Sequence, residues 1–374
     1  MTSLIQQAKS CYQFANVILP EVWARSRHQY RENEALDQVR ASLGSRLQHN
    51  SGRLNFIMVV PIVNWEVTLL ENARIHGICH HLKIESRGFF ESKLEWISYK
   101  TFNSAKLKSF FESTYSEEDI NILFLYVSEF HINADCLSAF KLKNVIIVHF
   151  NWDDRLHYSS RHKNQSVGVR EVARMADLNL TMAIGPMSRY VADGSAVFYW
   201  RGSKDWQRDE PIFPEIEINR VLFFGSRYGF RTELIDYLTR KGLPIDVFGS
   251  GWGTEFIAYE SLAYKIPRYA MNLGISTIGY TRSLSCVKGR DIEVPIAGGL
   301  YLTNQSREIE QVYEPGTDIL TYNSMDDCYR QACEVLLNPS DYAQVRRNGA
   351  IKAQHFSWEA RFQYLIELVA SVSS

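Results

Sequence analysis

Continuous apolar runs, rich in β-branched and aromatic residues, recur along this chain and alternate with segments of helical periodicity. The clearest runs are "LNFIMVVPIV" (54–63), "NILFLYV" (121–127) and "NVIIVHF" (144–150). A strand that helices cover on both faces is apolar without interruption, whereas a half-exposed strand alternates. The rhythm therefore predicts an α/β fold that is built on parallel sheets.

The rhythm stops between residues 201 and 219, where two prolines and mixed charges predict a linker, and it then restarts. Later strands are predicted at "NRVLFFGS", "PIDVFGS", "GISTIGY" (274–280), "GLYLT" (299–303) and "DILTY" (318–322). We therefore predict two doubly wound, Rossmann-like domains that face each other across a cleft. The predicted boundaries are an N-terminal helical extension at 1–52, domains at 53–208 and 209–355, and a C-terminal helix at 356–374 that packs back on the N-terminal domain.

Bulk properties of the chain exclude some classes of protein. Its 374 residues carry a formal net charge of −1, so there is no overall basic footprint for nucleic acid. The six cysteines form no C-x-x-C pair, and a chain of this length has core enough without disulfides, which indicates a reducing cytoplasm. No apolar run approaches the ~20 residues that span a bilayer, and the N-terminus lacks the layout of a signal peptide. Residues 1–50 could pack on the protein, or could contact the inner face of the membrane or another subunit.

Two glycine-containing loops follow strands in the second half. After "VLFFG" comes a turn that opens a helix, where backbone N–H groups attract anions and Arg227 or Arg231 could chelate phosphate. Two solvated arginines are the alternative. After "PIDVF" comes "GSGWGTE", which lacks the full G-x-G-x-x-G fingerprint and so argues against a nicotinamide cofactor. Gly249, Ser250 and Trp252 would flank a flat base or form a plain tight turn.

The stretch "SCVKGRDIEVPIAGGLYLT" places two cations and two carboxylates just ahead of a strand: Lys288, Arg290, Asp291 and Glu293. Residues 289–297 are predicted to form a short helix that two glycines end. Cations at a helix N-terminus oppose the macrodipole by about 0.3–1 kcal/mol, and a bound diphosphate would reverse this penalty. Glu293, one turn on, could accept hydrogen bonds from a ribose diol. An ion-pair network on a solvated face is the alternative.

The order of these segments resembles the C-terminal half of the GT-B glycosyltransferases of group one. The segments are a strand with "GSR", then "VFGSGW", "KGRDIEVPIAGGLYLT", "YEPGTDILTYNSMDDC" and "RRNGAIKAQHFSWEARF". The likeness is strongest to the spore-maturation (CgeB-like) branch. It covers residues 220–365 well, and over 53–205 it consists of the architecture plus "SEFHI" and "NWDD".

The resemblance implies a transferase that moves a sugar from a nucleoside diphosphate sugar to an acceptor hydroxyl on a glycan, a lipid-linked molecule or a protein. The donor is a co-substrate, and neither a metal nor another cofactor is implied. By position, Glu293 matches the glutamate that holds the donor ribose, and residues 249–252 match the loop near the base. One departure is Ser285, where the group-one pattern has a second glutamate near the donor sugar. The family has basic groups that contact the diphosphate. In this sequence Arg227 or Arg231 matches one of them, and Lys288 or Arg290 matches another.

Candidates for the base that deprotonates the acceptor follow two strands of the first half. His149, Asp153 and Asp154 lie in "HFNWDD", and Glu129 and His131 lie in "SEFHI". Ligands of such sheets bind in a crevice at the carboxyl ends of the strands. We therefore expect these side chains to point into the crevice, at the predicted cleft. A helix or turn cap is the alternative for Asp154, and the adjacent aspartates lack the Asp-x-Asp spacing of a metal site.

Two other groups in the first half stay open as alternatives. Asn64 or Glu66 could touch the acceptor. The segment "WEVTLLENARIHGICHHL" (65–82) has helical spacing, and on a helix a zinc-like set would share one face, namely His76, Cys79 and His80.

Two rival functions are compatible with the same sequence. One is a nucleotide-sugar epimerase or hydrolase on this fold, which would release product without an acceptor. The other is a non-catalytic nucleotide-sugar binding protein, which the departure at Ser285 would suit.

Overall fold

The computed structural model of the chain describes residues 2–46, 52–61, 66–85, 90, 92–162, 164–201, 211–254 and 257–373. The chain divides into two compact units. The N-terminal unit contains Asn16–Trp200 and Phe362–Ser374, and the C-terminal unit contains Met1–Ala15 and Arg201–Arg361. Asn64 and residues 202–210 of the predicted linker lie outside the described residues.

A six-stranded parallel sheet forms the centre of the N-terminal unit, in the order β2-β1-β3-β4-β7-β8. Its central strands β1, β3 and β4 are almost wholly buried, as the unbroken apolar runs predict. They are β1 (Leu54–Pro61), β2 (Ile78–Ile84), β3 (Ile120–Leu125), β4 (Val145–Asn151), β7 (Leu178–Thr181) and β8 (Val197–Tyr199), and a separate small hairpin joins β5 (Arg161–His162) to β6 (Gln165–Ser166).

Helices accompany this sheet, and the cap of the longest is visible in the sequence. The hydroxyl of Ser92 accepts a hydrogen bond from the backbone N–H of Glu95 at 3.1 Å, which starts helix α5. The helices are α2 (Leu19–Arg27), α3 (Glu32–Leu43), α4 (Glu66–His76), α5 (Lys93–Thr114), α6 (Asp154–His157), α7 (Arg170–Met175) and α8 (Met187–Ala192), with a 3₁₀ helix at Ala134–Leu142.

The single helix predicted over 65–82 is wrong in its second half. Helix α4 ends before Gly77, where a Cβ atom would lie 2.2 Å from the carbonyl oxygen of Leu54, and residues from Ile78 onward form β2. Neighbouring strand residues point to opposite faces of the sheet, so Cys79 and His80 share no face. The zinc-like arrangement therefore does not form.

The C-terminal unit is built on a five-stranded parallel sheet in the order β10-β9-β11-β12-β13. The strands are β9 (Ile218–Phe224), β10 (Ile245–Phe248), β11 (Tyr269–Leu273), β12 (Tyr301–Asn304) and β13 (Leu320–Tyr322). The helices are α1 (Thr2–Gln13), α9 (Phe230–Arg240), α10 (Tyr259–Lys265), α11 (Gly289–Ile296), α12 (Arg307–Glu310), α13 (Met325–Leu337) and α14 (Ala343–Gln354).

One strand of this sheet lies earlier than predicted. "YAMNL" forms β11 between β9 and β12, whereas the predicted strand at 274–280 is a loop. Gly274 ends the strand because a Cβ atom there would lie 2.0 Å from the hydroxyl oxygen of Tyr301, and Gly279 has a positive φ of 69°. The loop lengthens the connection from β11 to α11.

The first and the last described residues of the chain lie in helices. Helix α1 contacts its unit through Gln13, whose amide oxygen accepts a hydrogen bond from the backbone N–H of Tyr280 at 2.7 Å. The last helix, α15 (Trp358–Ser373), places Phe362 edge-on to Phe56 of β1, with ring centroids 5.7 Å apart. In the described part of the chain, no helix combines the length and the apolar composition required to cross a bilayer.

Each unit is therefore an open parallel sheet with helical crossovers, and helices precede the first strand. The predicted fold class, two Rossmann-like α/β domains with an N-terminal helical extension, is confirmed.

Candidate active site

In the C-terminal unit the strand order reverses at β9, because β10 lies on one side of it and β11 on the other. Open α/β sheets bind ligands at such a switch point, beyond the carboxyl ends of the strands. Helix α9 begins close after β9, and α11 leads into β12. Because all five strands are parallel, these helix starts lie at the same edge of the sheet.

The two glycine-containing loops at this edge are joined by hydrogen bonds. The backbone N–H of Arg227 donates to the carbonyl of Ser250 at 2.9 Å, and the indole N–H of Trp252 donates to the carbonyl of Gly225 at 2.7 Å. Gly249 has a φ of 129°, and a Cβ atom there would lie 2.5 Å from the same Gly225 carbonyl oxygen. The predicted base loop and the predicted phosphate loop are thus one assembled surface.

Arg227 is the exposed member of the predicted arginine pair. Its guanidinium lies 5.2 Å from the centre of the Trp252 ring and 3.7 Å from the carboxylate of Asp236. An exposed pair at that distance contributes little to stability, about 0–1 kcal/mol. Arg227 is therefore available for another anion at low energetic cost.

Arg231 and Arg290 are the buried cations of this edge, each with 7% of its surface exposed. Arg231 donates to the carbonyl of Ser226 at 3.3 Å, and no described atom accepts from its buried Nε. Arg290 donates to the carbonyl of Phe224, and its guanidinium lies 4.9 Å from the centre of the Phe223 ring. Within the described residues neither guanidinium forms an ion pair.

The positive charges of the Arg231 and Arg290 guanidinium groups repel each other. Burial, followed by the charge of Arg290, lowers the pKa of Arg231 to about 10. Arg231 nonetheless remains charged at neutral pH. Buried charges are ordinarily paired, since leaving one without a counterion costs several kcal/mol. Two adjacent buried cations with spare N–H groups form a site that favours an anion.

Helix α11 presents its N-terminus to the same edge, and Asp291 holds it there. The backbone N–H of Lys288 donates to the Asp291 carboxylate at 2.5 Å, and the Tyr301 hydroxyl donates to its other oxygen at 2.6 Å. The Tyr313 hydroxyl donates to the Asp291 carbonyl at 2.6 Å. Burial raises the pKa of Asp291 to about 6, and the Tyr301 hydrogen bond opposes that rise. Asp291 is thus a residue that positions the helix.

Glu293 lies on α11, three residues after Arg290, and is buried. Lys288 is the residue before the first turn and is half-buried. Gly298, with a φ of 86°, follows the helix, as predicted. The position of Glu293 agrees with a role in holding ribose, and the position of Lys288 agrees with a contact to phosphate. Both roles stay predictions.

A carboxylate that the sequence argument missed lies beside Ser285. The Ser285 hydroxyl donates to the buried carboxylate of Glu308 at 2.7 Å. Glu308 lies on α12, which Ser306 caps directly after β12. A helix start after a strand belongs to the ligand edge, so this order could have indicated Glu308. Ser285 stands where the group-one pattern has a glutamate, and the structure places the carboxylate of Glu308 beside it.

A cavity of about 520 Å³ adjoins the start of α9 within the same unit. Helix α1 supplies one wall through polar side chains, and the β11–α11 loop supplies another. The lining residues are Gln6, Gln7, Ser10, Phe230, Glu233, Tyr280, Thr281 and Arg282.

In the N-terminal unit, two of the predicted catalytic residues are part of the core. His149 is fully buried, with Nδ1 3.1 Å from the Asn179 amide oxygen and Nε2 3.0 Å from the Val127 carbonyl. Burial lowers the pKa of His149 to about 4. Asp154 is also fully buried and accepts a hydrogen bond from the Tyr190 hydroxyl at 2.9 Å. The prediction that both side chains point into the crevice is wrong, because β4 and α6 place them inside.

Glu129 is occupied by its own loop. One carboxylate oxygen accepts from the Lys100 ammonium, and the other accepts from the backbone N–H of Ala134 at 2.8 Å. These bonds tie the turn after β3 to α5 and to the 3₁₀ helix. A carboxylate with both oxygens engaged is a poor base, so the geometry favours a positioning role for Glu129 over proton transfer.

His131 and Asp153 keep partial exposure at the carboxyl ends of β3 and β4. Nδ1 of His131 accepts from the backbone N–H of Ser128 at 3.2 Å, so the ring proton lies on Nε2. Burial lowers the pKa of His131 to about 4, which keeps the ring neutral at pH 7. His131 can therefore donate a hydrogen bond from Nε2. Asp153 is a partly exposed carboxylate at this edge, as is Glu129.

One protein-family model matches the C-terminal half of the chain. The family model described as glycosyl transferase-like matches residues 231–367. The match spans α9 with Arg231, α11 with Arg290 and Glu293, and α12 with Glu308. No curated protein sequence matches the chain.

Solved structures with a similar fold cover most of the chain. Sucrose-phosphate synthase from Thermosynechococcus elongatus is similar with a TM-score of 0.56 and 10% identity, covering 79% of this chain and 83% of that one. HepE from Anabaena, in complex with UDP and glucose, is similar with a TM-score of 0.51 and 11% identity, covering 92% and 98%. A Listeria monocytogenes protein assigned as UDP-N-acetylglucosamine 2-epimerase is similar with a TM-score of 0.50 and 10% identity, covering 85% and 96%.

At these identities the likeness defines the fold, which is the GT-B type that the sequence predicts. Together with the family match it supports a glycosyltransferase of GT-B fold. The spore-maturation branch stays a prediction.

Proposed function

We propose that this protein is a glycosyltransferase that moves a sugar from a nucleoside diphosphate sugar to an acceptor hydroxyl. The observation that carries the proposal is the pair of buried guanidinium groups, Arg231 and Arg290, which has no counterion in the described part of the chain. The family match over residues 231–367 supports the same class. So does the fold shared with HepE, whose structure contains UDP and glucose.

A diphosphate fits this pair for an electrostatic reason. Its two negative charges would offset both buried cations, and its oxygens would accept from the Nε of Arg231, which is otherwise unsatisfied. The N-termini of α9 and α11 add backbone N–H groups and positive dipole ends. During transfer, negative charge develops on the departing diphosphate, so the same groups would stabilise the transition state.

The rest of the donor would be held by neighbours of that clamp. We propose that Glu293 accepts from the ribose hydroxyls and that the Gly249–Trp252 loop flanks the base. Lys288 and Arg227 would supply outer contacts with phosphate. Glu308, held by Ser285, would accept hydrogen bonds from the hydroxyls of the donor sugar.

We propose that residues of the N-terminal unit activate the acceptor. Asp153 is the candidate base, and the Nε2–H of His131 is a candidate donor to an acceptor oxygen. Fixed cations would do the work of a metal ion, so we propose a metal-independent reaction. The acceptor would be a glycan, a lipid-linked molecule or a protein.

Ligand-induced stabilisation tests the donor site directly. The melting temperature of the full chain is measured with UDP, GDP, ADP, CDP and dTDP, and with their sugars. At about a hundredfold excess over Kd, binding adds about 2.7 kcal/mol. For domains of this size that is a rise of about 5–10 °C. If none of these compounds raises the melting temperature, the donor site is refuted.

A nucleotide-sugar epimerase or hydrolase is the second candidate, because the same fold carries a protein assigned as an epimerase. The two reactions differ in their need for an acceptor. Incubation with the donor that gives the largest stabilisation distinguishes them. Turnover that is independent of any acceptor favours the second candidate, and donor binding without turnover in any mixture favours a binding protein.

A further inference from the structure

Helix α2 exposes apolar side chains and buries a charged one. Leu19, Val22 and Trp23 are 49%, 55% and 53% exposed, whereas Glu21 and Ala24 are buried. At 100° per residue, Leu19, Val22 and Trp23 form one stripe, on the side opposite Glu21 and Ala24. We call this stripe the α2 face. An amphipathic helix of a folded domain normally has the reverse arrangement.

The orientation of α2 is fixed by an ion pair. Both carboxylate oxygens of Glu21 accept from the Arg155 guanidinium, each at 3.0 Å, and both side chains are buried. The buried side of the helix packs on α8. A bidentate buried pair is directional, so α2 cannot roll to cover its apolar stripe without breaking it.

The charges that α2 itself exposes all have one sign. Between residues 16 and 31 the sequence contains three arginines and one carboxylate, and that carboxylate is the buried Glu21. Arg25 and Arg27 lie on the two sides of the apolar stripe. Neither makes an ion pair in the described part of the chain, and the Arg27 guanidinium lies 4.5 Å from the centre of the Trp23 ring.

We propose that the α2 face lies in the interface of an anionic lipid bilayer. Trp23 suits the headgroup boundary, with Leu19 and Val22 below it and the arginines at lipid phosphates. A second copy of this chain fits less well. An isologous dimer through this face would bring the arginines of both copies together without a carboxylate on the face to pair with them. The surface is small, so binding is reversible and needs both the apolar and the cationic contributions.

Co-sedimentation of the full chain with vesicles tests the proposal. We expect binding to phosphatidylcholine vesicles that contain phosphatidylglycerol, and little binding to phosphatidylcholine alone. Raising the salt from about 0.1 M to about 1 M should release the protein, since the Debye length falls from about 10 Å to about 3 Å. Arg25→Gln with Arg27→Gln should weaken binding by about 25-fold, about fivefold per charge. Val22→Ser with Trp23→Ser should weaken it by at least about tenfold.

Matched controls separate the face from general surface effects. Ile75→Ser with Leu142→Ser removes two exposed apolar side chains elsewhere in the N-terminal unit and should bind vesicles as the parent chain does. Stabilisation by the nucleotide should be unchanged in all three variants, so this result is independent of the donor site. Equal binding to both kinds of vesicle, no binding at low salt, or full binding by either α2 variant would overturn the proposal. A lipid-free dimer that Val22→Ser with Trp23→Ser converts to monomer would overturn it in favour of a second copy.

Discussion

The buried cations Arg155 and Lys100 of the N-terminal unit have carboxylate partners, whereas Arg231 and Arg290 of the C-terminal unit have none among the described residues. In the N-terminal unit, Arg155 meets Glu21 at two 3.0 Å contacts, and Lys100 meets Glu129. In the C-terminal unit, Arg231 and Arg290 are equally buried and meet only carbonyl oxygens. A buried cation that has a carboxylate completes the fold. Two adjacent buried cations that lack one repel each other, and no described atom accepts from the Nε of Arg231, so a bound anion would stabilise this pair.

The buried carboxyl group of Asp154 has no cationic partner in the described part of the chain and can be neutralised by protonation instead. Burial raises the pKa of Asp154 to about 7, and the hydrogen bond from the Tyr190 hydroxyl opposes that rise. The acid can take up a proton and become neutral. A guanidinium cannot lose its charge near pH 7, since even the lowered pKa of Arg231 is about 10. Arg231 and Arg290 therefore keep two adjacent charges at neutral pH, and a bound anion would stabilise both.

The largest effect is expected from breaking the paired cation. Arg155→Ala leaves Glu21 buried without its partner, which should cost about 3–5 kcal/mol of unfolding free energy. The melting temperature should fall by about 6–20 °C. Replacing both partners, Glu21→Gln with Arg155→Met, should restore most of the loss. An Arg155→Ala variant as stable as the parent would show that the pair contributes nothing.

Asp154→Asn tests the neutralised acid. The folded-state pKa of about 7 lies above the unfolded value of 3.8, so the folded state holds the proton more tightly. Stability from this group is complete below pH 4 and is lost as the pH rises through 7, by about 4 kcal/mol for a three-unit shift. Asn has no such proton, so the loss between pH 4 and 7 should shrink by that amount in denaturant titrations. Asp153→Asn, the half-buried neighbour, is the control and should change the pH profile only slightly, because the Asp153 charge is the smallest cause that acts on the pKa of Asp154.

Removing one unpaired cation should have the opposite pattern to Arg155→Ala. Arg290→Ala is expected to weaken donor binding and turnover by about a hundredfold, about 2.7 kcal/mol, because a diphosphate contact is lost. The free protein should be no less stable than the parent, since like charges are separated. Binding is measured by titration calorimetry and stability by denaturant.

Arg227→Ala is the matched control, because this arginine is exposed at the same edge. Its effect on donor affinity should be about tenfold or less. If Arg290→Ala destabilises the protein and leaves nucleotide affinity intact, the contrast between paired and unpaired cations is lost.

The smallest effect concerns the carboxylate beside Ser285. Glu308→Gln should lower turnover about tenfold, about 1.4 kcal/mol, through weaker contacts with the sugar. The affinity for the nucleoside diphosphate alone should not change, whereas the added affinity of the nucleotide sugar should fall. Equal losses for both ligands would place Glu308 away from the sugar.

The sequence predicted features that repeat locally. Unbroken apolar runs identified most strands, and glycines next to Arg227 and Arg290 identified the loops at the ligand edge. The sequence did not show that Arg231 is buried and Arg227 exposed, because burial depends on which other elements pack against each residue. His149 and Asp154 were misplaced for the same reason, and Ile78–Ile84 was missed because its histidines and cysteine mimic helical spacing. Glu308 was overlooked because its partner, Ser285, lies 23 positions earlier.

Helix α15 gives the two units an order of completion. Phe362 packs against Phe56 and His76, and Tyr364 packs against Trp200, so the core of the N-terminal unit includes side chains that follow the whole C-terminal unit in sequence. During synthesis the first sheet forms without α15. The apolar surface that α15 covers therefore stays exposed until more than a hundred and sixty further residues have been added. A nascent chain that stalls in the C-terminal unit therefore exposes a surface that chaperones can bind.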